Sequence, residues 1–122
     1  AKDGPLADLA GRLEKANGDL KASTMWFMQN AMANPNNIGA GAHHYMHIMG
    51  IVALGLQWLR MAQSAQKALD AGTGNASFYQ TKLVTARYFA ERHMPDCGAL
   101  RRKIEAGSEA LMALSPEMFA AA

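Results

Sequence analysis

The chain has 122 residues, of which 50% are hydrophobic, 18% charged and 7% aromatic, and its formal net charge is +2. That length suits a single core, since one domain typically holds about 100–150 residues, and the apolar half excludes a disordered or low-complexity polymer. The near-balanced charge excludes a nucleic-acid binder built on a dense basic stripe. The single cysteine excludes an internal disulfide framework and fits a reducing compartment.

Ala1-Lys2-Asp3-Gly4-Pro5 carries no apolar signal core, so a leader peptide is not expected here. A start at Ala1 without methionine fits a processed chain or a piece cut from the end of a longer one. Gly4-Pro5 reads as a helix start with proline at the first helical position, where its missing N–H is not needed. From there Leu6, Leu9, Leu13, Ala16, Leu20, Thr24 and Phe27 recur in steps of three and four, the stripe of a helix packed along one face. Asn34-Pro35-Asn36-Asn37 stops it, because proline disfavours helical geometry in the residue before it.

A second helix is expected from near Ile38 to about Asp70. It would be roughly 50 Å long at 1.5 Å per residue. Its apolar run Ile48–Leu59 is shorter than the roughly 20 residues a bilayer requires, so a buried helix in a cytoplasmic protein is expected rather than a membrane span. In Gly72-Thr73-Gly74-Asn75, Gly72 suits a left-handed cap and Asn75 the start of the next helix. A third stripe runs from Phe78-Tyr79 through Leu83, Ala86 and Phe89. It meets Pro95, then resumes with Leu100, Ile104, Gly107, Leu111 and Leu114. Ser115-Pro116-Glu117 opens a short terminal turn with Met118 and Phe119. The expected fold is all-α: one domain over residues 1–122, with three long antiparallel spans, or four helices if Pro95 breaks the third.

Met25-Trp26-Phe27-Met28 places four large apolar groups about 100° apart around one helix, and they cannot all face one neighbour. The second helix is likewise apolar on all sides, from Tyr45 to Leu59. The bundle ends and the Met118-Phe119 turn could cover this surplus. The favoured expectation is an interface with another domain or a second copy, carried by Trp26, Phe27, Met28 and Trp58.

His43-His44-Tyr45-Met46-His47 puts His43 and His47 four residues apart, a spacing used by paired metal ligands, and His93 and Cys97 share it across Pro95. Both pairs together would suit zinc, and a His or Met pair could ligate haem in a stand-alone bundle. The simpler reading is half-buried histidines bonding locally. Neither HExxH nor the Glu-x-x-His of di-iron bundles occurs. Arg101-Arg102-Lys103 reads as a solvated face paired with Glu105 before it reads as a phosphate grip. Cys97 has a histidine one turn away but no oxyanion motif, and Gly39-Ala40-Gly41 lacks the strand and third glycine of a dinucleotide loop.

Phe78-Tyr79-x-x-Lys82-x-x-x-Ala86-Arg87-x-Phe89, followed by Arg92 and Pro95, resembles the C-terminal helical domain of the acyl-CoA dehydrogenase family. The branch is the one with enzymes similar to 3-methylmercaptopropionyl-CoA dehydrogenase. Ile104-x-Ala106-Gly107, Leu111-Met112-Ala113-Leu114, Glu117 and Phe119 extend the likeness, as do Gly50, Ala53-Leu54-Gly55, Trp58 and Arg60-Met61-Ala62. The resemblance covers essentially the whole chain. It implies a parent enzyme that binds FAD and oxidises an acyl-CoA across its α and β carbons, with the glutamate base and the flavin site upstream. Glu91, Glu105, Glu109 and Glu117 match no base motif, so the resemblance assigns this chain no catalytic or flavin-binding residue. The implied partners are the upstream dehydrogenase domains or a second subunit. The His43–His47 cluster inherits no role.

Overall fold

A computed structural model describes residue 4 and residues 6–121. The expected Pro5 helix start lies outside the described residues. Five helices follow in order: α1 (Ala7–Asn30), α2 (Asn36–Ala71), α3 (Ala76–Arg92), α4 (Asp96–Glu105) and α5 (Pro116–Ala121), with no strand among the described residues. None of these helices is long and apolar enough to cross a membrane.

The 36 residues of α2 make it about 54 Å long, and it is the strut on which α1, α3 and α4 all pack. It begins at Asn36, two residues before the expected start, and ends where Gly72 turns left-handed at φ 68°. Gly72 and Thr73 return their N–H groups to Leu69 and Ala68. The Asn75 side chain then accepts from the Ser77 and Phe78 amides at 3.0 and 3.3 Å, capping α3 as its type and place suggested.

Pro95 bends the third span rather than reversing it. It has no N–H to offer the Glu91 carbonyl, and the hydrogen-bond ladder restarts as Asp96, Cys97 and Gly98 donate to His93, Met94 and Pro95. Helices α3 and α4 therefore follow one another along α2, each also touching α1, without packing side by side. The span does not continue to Leu114 as its stripe suggested. Gly107 turns left-handed at φ 73°, and the Ser108 N–H and hydroxyl both donate to Asn37 Oδ1, at 3.0 and 2.9 Å. Asn37 in turn donates to the Asn30 carbonyl at 3.2 Å, so one side chain ties the α1–α2 turn to the end of α4. Leu111 and Leu114 lie in the exposed turns beyond. The terminal turn does form, as α5, but Met118 and Phe119 are themselves exposed and cover nothing.

The core is built of small side chains. Among the described residues, five of the ten buried apolar ones are alanines: Ala16, Ala62, Ala65, Ala86 and Ala90. Leu9, Ala62, Ala86, Ala90 and Met94 form one buried cluster, and Ala16, Ile48, Cys97 and Ile104 form the other; the half-buried Ile51 touches both. The larger buried side chains, Leu9, Ile48, Met94 and Ile104, pack among these small ones, while many other long apolar side chains stand outside. Eight of the nine methionines are exposed, Met94 being the buried one.

Stability should follow this logic, against the usual expectation that larger apolar residues help. Ala62→Leu should cost about 1–3 kcal/mol by overpacking, and Leu54→Ala should stay within about 0.5 kcal/mol. Urea denaturation of the two variants measures both.

Candidate functional site

Four of the exposed apolar groups, Met28, Ile38, Met46 and Met49, line a groove of about 430 Å³ between α1 and α2. Thr24, Phe27, Met28 and Ala31 form one wall; Ile38, Ala42, Tyr45, Met46 and Met49 form the other. No charged residue lines it. Thr24 Oγ1 donates to the Leu20 carbonyl at 2.9 Å, so the Tyr45 hydroxyl, 2.6 Å away, donates to Thr24. The polar atoms of the groove are thereby bonded to one another, and what it offers a neighbour is apolar surface.

Phe27 stacks edge-on against Tyr45 at 5.2 Å and against Trp26 at 5.6 Å, which fixes the base of the groove. Met28 is 69% exposed and Met46 62%, so the rim is flexible thioether. Of the four residues expected at an interface, Met28 stands out into solvent. Trp26 and Phe27 are half-buried against one core cluster, and Trp58 against the other. Met32, Ile38, Met46 and Met49 extend the exposed patch. The chain pattern could have shown them: once Tyr45 and Ile48 face inward, 42, 46 and 49 fall together on the adjoining face.

A second, polar cleft of about 410 Å³ lies between α1 and the bend at Pro95, with Arg12, Lys15, Asp19, Arg101, Arg102 and Glu105 on its walls. Arg101 bridges Glu105 at 2.6 Å and Asp19 at 3.3 Å, so its charge is already answered. The pairing of Arg101 with Glu105 is the one its spacing suggested.

The four candidate metal ligands do not form one site. Among the described residues, no group of three or more His, Cys, Asp or Glu side chains is arranged to hold a metal ion. His43 and His47 are exposed, with ring centroids 4.4 Å apart. His44 is half-buried; its Nδ1 has no partner, and burial, then Lys103 and the neighbouring histidines, push its pKa below the ordinary imidazole value. His93 is exposed beside Phe89 and Tyr88, whereas Cys97 is fully buried. Burial, with Asp19 and Asp96 adding to it, pushes the Cys97 thiol up to about 11, so it is a packed thiol and no nucleophile.

Over residues 1–115 the sequence matches the family described as acetyl-CoA dehydrogenase C-terminal like. It is 30% identical over 116 residues to the 3-methylmercaptopropionyl-CoA dehydrogenase of Ruegeria pomeroyi, covering 94% of this chain and 20% of that protein. It is also 30% identical over 116 residues to the broad-specificity linear acyl-CoA dehydrogenase FadE5 of Mycobacterium tuberculosis, covering 93% of this chain and 18% of that protein. The chain thus spans about a fifth of the length of the curated relatives it matches.

Cys97 gives a sharp check on the packing. At pH 8 a thiol-specific disulfide reagent should label it at least about a hundredfold more slowly in the native chain than in urea, because labelling waits on opening of the core. Absorbance of the released thiolate measures the rate.

Proposed function

The chain belongs to the acetyl-CoA dehydrogenase C-terminal-like family, and we propose that it is the helical docking domain of an FAD-dependent acyl-CoA dehydrogenase. In this reading the parent enzyme removes hydrogen across the α and β carbons of an acyl-CoA thioester in the cytoplasm. This chain contributes packing and assembly. The reading is carried by one observation: a member of a C-terminal domain family holds open an uncharged groove of methionine and aromatic side chains. Its relatives are dehydrogenases about five times as long, which leaves ample room for the covering surface.

In the parent, bound flavin would supply the acceptor for the β hydride. Neither the apolar groove nor the polar cleft fits it. The only hydroxyls of the apolar groove, on Thr24 and Tyr45, are bonded to each other, and the polar cleft is crossed by the Asp19–Arg101–Glu105 bridge. The flavin and the general base are therefore assigned to the upstream part. The groove on α1 and α2 holds that part, or its neighbour in a dimer, by burying apolar surface at about 25 cal/mol per Å².

Two results test this together. The chain alone, mixed with FAD and purified, should show no flavin absorbance and no acyl-CoA-dependent reduction of an electron acceptor. The separately produced dehydrogenase part should co-sediment with it, and Met28→Asp with Met46→Asp should abolish that while Leu111→Asp leaves it intact. Stoichiometric flavin on this chain, or association indifferent to the groove substitutions, would contradict the reading.

A further inference from the structure

The outward side of α2 carries a pair of groups that neither the core nor the docking groove uses. Gly41 and Ile48 are buried and mark the inward line of this part of the helix. At 100° per residue, His43 falls about 150° and His47 about 110° from that line, one turn apart, and both are exposed. Their ring centroids are 4.4 Å apart and the ring planes are inclined at 62°. Two imidazoles so placed, on a helix that runs without a break from Asn36 to Ala71, set two nitrogen-bearing rings side by side with no loop to order.

The surroundings decide what the pair can take. His44 does not share their face: it is half-buried and sits about 100° round the helix from His43. No third metal-binding side chain joins the pair among the described residues. Two neutral nitrogen ligands without a carboxylate are a poor match for magnesium or calcium, which require oxygen, and a good one for the borderline divalent ions zinc, nickel and copper. Water would fill the remaining positions, so the ion is exchangeable and not a structural staple.

We propose that His43 and His47 form a two-imidazole chelate for a borderline divalent transition-metal ion on the exposed face of α2. The site stands apart from the docking role, since neither histidine lines the apolar groove. An ion bridging residues four apart holds the helical conformation, so binding should also raise the melting temperature of the chain by mass action.

Calorimetric titration of the 122-residue chain with zinc chloride tests this. The expected result is one zinc per chain, a higher melting temperature with zinc, and no heat from magnesium. His43→Gln and His47→Gln should each weaken binding at least about tenfold, as loss of one of two ligands demands. His44→Gln and His93→Gln should leave it unchanged. Circular dichroism establishes that these substitutions keep the helices. Absence of zinc binding at millimolar metal, binding retained in the His43→Gln, His47→Gln double variant, or a stoichiometry of one zinc to two chains would overturn the proposal.

Discussion

The close approach of the helices to α2 is the constraint on which the rest of the structure depends. Gly41, Ile48, Gly55 and Ala62 are all buried and repeat every seven residues along α2, so three of the four positions of its inward line carry at most a methyl group. A Cβ built on Gly41 would stand 2.8 Å from Phe27 Cζ; one on Gly55 would stand 2.6 Å from Met94 Cε and 3.0 Å from Leu13 Cδ1. The neighbouring helices occupy the space a side chain would need. Ala16, Ala86 and Ala90 answer from α1 and α3 with equally small groups. Large side chains such as Phe27, Leu13 and Met94 enter between the helices where α2 offers a glycine, and the apolar side chains without such a place stand on the outer faces. The open groove between α1 and α2 is thus a consequence of how the core is packed.

Polar contacts also hold one end of the bundle. Beside Trp26, which packs near Gly107, Asn37 ties the α1–α2 turn to the end of α4 through Ser108 and Asn30, and Ser108 is 2% exposed. Loss of an acceptor from a buried N–H costs about 1–3 kcal/mol. Beyond Ser108 no comparable anchor exists in the described residues, and the segment leading to α5 keeps its leucines and methionines in solvent.

Much of the fold was legible because its boundaries rest on local chemistry. Proline at 35 and 95, glycine at 72 and asparagine at 75 each act within four residues, and each lies where its type suggested. What the pattern missed depends on contacts far apart in sequence. The stripe through Leu111 and Leu114 continued a helix that Gly107 and the bond from Ser108 to Asn37, 71 residues away, had ended. The site was half legible. An excess of apolar surface on α1 and α2 could be counted, but which part stayed open depended on the alanine core: Trp26, Phe27 and Trp58 turned partly inward, and the methionines did not. The spacing of His43 and His47 does bring their rings together, whereas at His93 and Cys97 the bend at Pro95 leaves one in solvent and buries the other.

Met28, Met46 and Met49 stand outside the core, and we propose that the rest of a larger enzyme covers them. Methionine oxidation by dilute peroxide, read residue by residue by mass spectrometry, tests it most directly. In this chain alone the three should oxidise fast and Met94 slowly; in the intact parent dehydrogenase the three should be protected as Met94 is. Equal oxidation of Met28, Met46 and Met49 in the chain and in the parent would contradict it.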